Sequence, residues 1–119
     1  MAAVRLLHAT NQTEILRVVA EVGDGLEAVR QAQELKPDLI LLDISLPKLD
    51  GIEAASRIRQ VAPATAIIFL THNSDQDVRE AALRTGARGY VLKANAAKEL
   101  LPAIDAALRG PSLVSSGTE

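Results

Sequence analysis

Asp43, Thr71 and Lys93 are the residues of this chain whose types and spacing could do chemistry together; they stand 28 and 22 residues apart. Asp43 closes the run Leu39-Ile40-Leu41-Leu42-Asp43, in which four large aliphatics stop at a carboxylate. Such a run reads as a strand buried on both faces. Thr71-His72 follow the apolar run Ala66-Ile67-Ile68-Phe69-Leu70, and Lys93 follows Gly89-Tyr90-Val91-Leu92. If these three strands are parallel, a carboxylate, a hydroxyl and an ammonium emerge at one sheet edge, where ligands sit in open α/β sheets. A carboxylate there can act as a nucleophile toward a phosphoryl group. The ammonium would pair with it and then with a phosphoryl oxygen, and the hydroxyl would donate to another oxygen. Singly, each residue has an ordinary reading. Asp43 could cap a turn, Thr71 could bond locally to backbone, and Lys93 could be a solvated strand-end charge. Tyr90 alone is a half-buried strand residue. His72 reads as the rim of a pocket, and His8 has no partner recognisable in the sequence.

The elements that must position these groups alternate. Leu16–Val22 reads as a strand. Asp24 through Leu35 reads as a helix, with Leu26, Val29, Ala32 and Leu35 at three-to-four spacing and Asp24 with Glu27 resembling a capping box. Pro37-Asp38 ends it, and the Asp43 strand follows. Gly51–Val61 is a second helix with Ile52, Ala55 and Ile58 on one face. After the strand from Ala66, Ser74 and Asp77 suggest the cap of a helix over 75–85 that Gly86 stops. Gly89–Leu92 is a short strand, and Asn95 caps a last helix to about Arg109, with Pro102 as a tolerated kink. Strands alternating with helices of this length imply a doubly wound parallel sheet covered on both faces. The segment 111–119 is small and polar, in the manner of a linker.

Composition excludes several classes. The chain has 119 residues, 48% hydrophobic and net charge -2, which suits one domain with one core. Only 2% of residues are aromatic and there is no basic excess, so this segment lacks the stacking platform and the charge for nucleic-acid binding. Zero cysteines exclude disulfides, thiolate metal sites and a cysteine nucleophile. No apolar stretch is long enough to span a membrane, and a cytoplasmic location is expected. No G-x-G-x-x-G or Walker pattern follows any strand, which makes a flavodoxin-like enzyme or mononucleotide binder a weak reading.

Five stretches in order carry a resemblance: Val22–Ala28, Pro37–Asp43, Leu46–Gly51, Phe69–Thr71 and Gly86–Lys93. They resemble the receiver domain of two-component response regulators, in the subfamily that usually precedes a LuxR-type helix-turn-helix DNA-binding domain. The resemblance implies a flavodoxin-like fold and a signalling role rather than an enzymatic one. It implies that Asp43 accepts a phosphoryl group from a histidine kinase or a small phosphodonor. It makes Thr71 the switch hydroxyl, Lys93 the ligand of a phosphoryl oxygen, and Tyr90 the switch aromatic. It also implies an output surface at about 75–109, able to form a homodimer, and transcription regulation through an output domain outside this chain.

The N-terminus departs from that family. Receivers bind Mg²⁺ with an acidic pair after the first strand together with the phospho-accepting aspartate. This chain has no acid before Glu14, and too little sequence before Leu16 for a full strand and helix. Two registers are open. Either Val4–Ala9 is the first strand, Thr10-Asn11 stand where the acidic pair belongs, and most of the first helix is missing; or Val4–His8 ends the first helix and the first strand is absent. Residues 1–15 are therefore set apart as an atypical or truncated segment, with the receiver over 16–110. With Asp43 and the Ser45 backbone carbonyl as its ligands, Mg²⁺ would be held poorly. A second function follows from this: a receiver-like interaction module that takes no phosphate.

Overall fold

In the computed structural model, which describes residues 4–9 and 16–109, the alternating pattern becomes five strands and four α-helices. The strands are β1 (Val4–Ala9), β2 (Leu16–Val22), β3 (Leu39–Leu42), β4 (Ala66–Thr71) and β5 (Gly89–Leu92). The helices are α1 (Gly25–Leu35), α2 (Gly51–Val61), α3 (Gln76–Arg84) and α4 (Ala96–Arg109), and a 3₁₀ turn over Lys93–Asn95 leads into α4. Three helices start at aspartates that satisfy free backbone donors. Asp24 accepts from Glu27 N at the head of α1, and Asp50 from Glu53 N at the head of α2. Asp75 accepts from Asp77 N and Val78 N at the head of α3, so the cap is Asp75 rather than Ser74 or Asp77. Gly86 turns the chain after α3 with a φ of 98°, a left-handed value that suits glycine.

The strands form one sheet in the order β2-β1-β3-β4-β5. β3, β4 and β5 are parallel, with Leu42 opposite Phe69 and Phe69 opposite Tyr90. β1 is antiparallel to both β2 and β3, with Val4 opposite Val22 on one side and Leu42 on the other. β2 therefore points the same way as β3–β5, and β1 alone is reversed. The expected doubly wound sheet is present and mostly parallel, with this one strand running against it.

Of the two N-terminal registers, the second is corrected, and the first keeps its strand with the direction reversed. Val4–Ala9 is a strand, not the end of a helix, so the first strand is present. It nevertheless runs backwards, which puts its C-terminal end at the edge away from Asp43: Ala9 N–H donates to Asp38 Oδ2 at 2.7 Å, beside the start of β3. Thr10-Asn11 lie outside the described residues, but the strand end that leads to them is at the wrong edge for an acidic pair near Asp43. The expected domain boundary at Leu16 falls between two paired strands of one sheet. Six residues separate β1 from β2. A parallel crossover needs a dozen or more, so the short connection imposes the antiparallel pair.

The two sheet faces are covered unequally. Val4, Leu6, Ile40, Leu42, Ile67 and Phe69 bury one face against α1, α2 and α3, through Ala28, Ala32, Ala55, Ile58 and Ala82. Leu26, expected on the core side of α1, is exposed, and Ala28 takes that place. Leu7, Leu39, Leu41, Ile68 and Val91 bury the other face, where among the described helices only α4 packs, through Ile104 and Ala107. Pro102 lies on the exposed side of α4, where its ring meets solvent and the carbonyl of the exposed Lys98 goes without its N–H partner.

Candidate functional site

β3 runs out of aliphatics at Leu42, and the next residue, Asp43, emerges at the C-terminal edge of the sheet. The chain then has to turn sharply into α2. Gly51 N–H donates to Ile44 O at 2.7 Å, and Lys48 adopts a φ of 70° to complete the loop. A Cβ on Gly51 would stand 2.0 Å from Asp43 O, so only glycine lets α2 begin this close to the strand end. The same loop touches α1: Gly25 N–H donates to Pro47 O at 3.2 Å, and a Cβ on Gly25 would meet Leu49 O at 1.9 Å. These two contacts explain the glycine of each aspartate-glycine pair.

The three residues singled out by type and spacing meet. Thr71 Oγ1 donates to Asp43 Oδ1 at 3.0 Å, and Lys93 Nζ donates to Asp43 Oδ2 at 3.0 Å. Ser45 N–H donates to Oδ1 at 3.2 Å. Parallel register explains the convergence, since Thr71 is paired with Leu92 and the 3₁₀ turn after Leu92 brings Lys93 over the edge. The Asp43 side chain is 13% exposed and that of Lys93 36%, so the acid is shielded and its partner reaches solvent. Burial raises the Asp43 pKa. The hydrogen bonds from Lys93, Ser45 N–H and Thr71, with the Lys93 charge, outweigh it and hold the carboxyl below its ordinary value. The group is a carboxylate at neutral pH.

Tyr90 lies one layer below. Its ring packs on Phe69 with centroids 6.1 Å apart, and its hydroxyl donates to Asn73 O at 2.7 Å. Burial raises the phenol above its ordinary pKa; the Arg79 charge opposes this, and the Asp75 and Asp43 carboxylates add to it. Asn73 is a residue that sequence reading missed. Its N–H donates to Thr71 Oγ1 at 3.2 Å, so one residue touches both the site hydroxyl and the tyrosine. Backbone contacts of this kind leave no signature in residue types. His72 is exposed at the rim. His8 does find a partner, Asp38, with Nδ1 to Oδ2 at 3.7 Å, at the opposite edge and 30 residues away in sequence.

The donor set does not fit a Mg²⁺ ion. That ion takes six oxygens in near-octahedral geometry and favours charged ligands. Asp43 and the Ser45 carbonyl are the two candidate protein ligands here, and both Asp43 oxygens already accept hydrogen bonds. Among the described residues no group of three or more His, Cys, Asp or Glu converges. Where a carboxylate would be wanted beside β3, the reversed β1 places Val4, which is fully buried. Asp24, at the same edge beyond β2, is engaged in capping α1 and lies 3.9 Å from Lys48 Nζ.

Comparison with known proteins is consistent across sequence and structure. Residues 2–105 match the family described as the response regulator receiver domain. The transcriptional regulatory protein YhcZ of Bacillus subtilis is 46% identical over 86 residues, which is 72% of this chain and 40% of that protein. A two-component response regulator of the LuxR family from Aurantimonas superposes with a TM-score of 0.73 at 41% identity, covering 78% of this chain and 66% of that one. The receiver domain of the sensor histidine kinase PA1611 from Pseudomonas aeruginosa, solved with a magnesium ion in its active site cleft, gives 0.66 at 36% identity, covering 75% of each chain. The chain spans about half the length of the curated relatives it matches. Among the described residues, no helix is long and apolar enough to cross a membrane.

Proposed function

Because this chain belongs to the response regulator receiver domain family, we propose that Asp43 is its phosphoryl acceptor and that the acceptor's change of charge is its signal. The observation that supports this most is the shared coordination of one carboxylate by Thr71 and Lys93. In the transfer, an Asp43 carboxylate oxygen attacks phosphorus in a phosphohistidine of a kinase or in a small acyl phosphate. A new O–P bond forms while the old N–P or O–P bond breaks and its electron pair leaves with the donor. A departing imidazole takes a proton from solvent, whereas a departing carboxylate needs none. Lys93 passes from the carboxylate to a phosphoryl oxygen, and Thr71 donates to another. The product brings close to two negative charges to the sheet edge, and Thr71 must re-aim to meet them. The surface over 75–109, which carries α3, β5 and α4, is the proposed output face. Pairing of two copies there, and transcription regulation through an output domain beyond this chain, extend the reading to the whole protein, as the transcriptional relatives suggest.

One observation favours a second reading. The reversed β1 supplies no carboxylate next to Asp43, and the site does not fit the Mg²⁺ that the PA1611 receiver holds. A receiver-like module acting by binding alone needs no such ion. Exposure to a small acyl phosphate, with and without Mg²⁺, followed by intact-mass measurement separates the two. A gain of one phosphoryl group that vanishes in Asp43→Asn supports the acceptor. No gain at any Mg²⁺ concentration leaves the binding module.

A further inference from the structure

Arg79 belongs to no motif, yet its guanidinium lies over the Tyr90 ring, 5.6 Å from the centroid. Phe69, fully buried, supports the ring from the core side, while Arg79 is an exposed residue of α3. The tyrosine is therefore held at three points: core ring below, guanidinium on the solvent side, and its hydroxyl on the Asn73 carbonyl. Asn73 Oδ1 also accepts Asp75 N–H at 2.9 Å, and Asp75 caps α3, the helix that carries Arg79. Loop, helix head and ring are joined in one unit, and Thr71 connects that unit to Asp43 through its two hydrogen bonds.

We propose that Arg79 is a positioning residue that latches Tyr90 in its buried rotamer before any change occurs at Asp43. The latch sets the resting form of the face made by α3 and β5, independently of phosphoryl uptake. Its consequence for signalling rests on the reading of Asp43 as acceptor: a re-aimed Thr71 hydroxyl removes the acceptor of Asn73 N–H and loosens the loop against a ring that Arg79 still holds. Removing the latch would then narrow the difference between resting and phosphorylated forms, because the ring is already loose at rest.

The chain has one tyrosine and no tryptophan, so its tyrosine signals report Tyr90 alone. The test is collisional quenching of tyrosine fluorescence by acrylamide, with near-ultraviolet circular dichroism of the same ring, in the unphosphorylated full chain. Arg79→Met keeps the stem and removes the charge; Arg79→Lys restores a cation with weaker stacking. The expected result is a rise of about two- to fivefold in the quenching constant of Arg79→Met, the size that a solvent-exposed cation over an aromatic ring supplies. The ring's dichroism should weaken in parallel and Arg79→Lys should fall between. Far-ultraviolet dichroism checks that the helices persist; Arg79 is exposed, so the fold does not depend on it. An unchanged quenching constant in a folded Arg79→Met protein would overturn the latch. Phosphoryl uptake is not part of this measurement, so failure of the acceptor reading and failure of the latch are read separately.

Discussion

Between β3 and β5 every strand points the same way, and of the side chains at their C-terminal ends Thr71 and Lys93 both bond Asp43. In the β1–β2 pair one strand is reversed, and the residues that reach the same edge are Val4 and Val22. β1 buries its aliphatics as completely as β3 does, while in β2 Val18 stays exposed and only Val22 is buried. Val4 and Leu6 are as inaccessible as Ile40 and Leu42. The difference teaches that packing and chemistry make different demands on a strand. Side-chain alternation has a period of two and is the same read in either direction, so a reversed strand still fills the core. Direction decides only which end reaches the ligand edge, and that is what chemistry needs.

The largest expected effect tests whether the reversed strand is a full partner in the core. Leu6→Ala in β1 and Ile67→Ala in β4 should each lower unfolding free energy by about 2–5 kcal/mol, since both side chains are almost wholly buried. Urea denaturation would measure this. A loss near zero for Leu6→Ala, with a normal loss for Ile67→Ala, would break the equivalence of β1 and the parallel strands.

Next is the turn after Asp43. Gly51→Ala forces a methyl against the Asp43 carbonyl and should cost about 1–3 kcal/mol, the range for an overpacked site. It should also displace Asp43, seen as a changed carboxyl resonance in the ¹³C spectrum. Gly23→Ala, where nothing lies within 4 Å, is the matched control near the end of β2.

A smaller effect concerns the ion pair. Asp43 is held below its ordinary pKa, so its contribution to stability is present above the unfolded-state value and is lost as pH falls through the folded one. Lys93→Met should therefore cost about 0.5–1 kcal/mol at neutral pH, and the gap to the parent should close on acidification as both carboxyls protonate. Thermal melts across the acidic range would read this; a gap that stays constant with pH would assign Lys93 a packing role instead.

The smallest effect lies in the other region. Arg5 and Glu21 form an exposed cross-strand pair at 3.1 Å between β1 and β2. Arg5→Ala should shift stability by less than about 0.5 kcal/mol, with no change in the Asp43 carboxyl resonance.

Much of this was legible along the chain. The Leu39–Leu42 run fixes a doubly buried strand, and its carboxylate end marks Asp43, because four aliphatics with no polar alternation leave no face for solvent. Thr71 and Lys93 follow from two more runs of the same kind. Asp24 and Asp50 announce their helices through local capping, which depends only on near neighbours. The misplaced cap at α3 shows the limit of that reading. Ser74, Asp75 and Asp77 all have capping side chains, and the loop path set by Thr71 and Asn73 selects Asp75.

Tertiary structure decided the rest. Strand direction is absent from a hydrophobic pattern, and the six residues between β1 and β2 acquire meaning only once those strands are neighbours. The Asn73 bridge and the Arg79 contact with Tyr90 join groups that are 17 and 11 residues apart through a backbone carbonyl and a ring face, which residue types do not announce. By itself the sequence determined that the runs from Leu39 and Ala66 are buried and which polar groups end them, since both follow from local hydrophobicity, whereas Leu26 shows that helix burial did not follow from it. Which of those ends meet depended on chain direction and loop length, and these are fixed only when the sheet assembles.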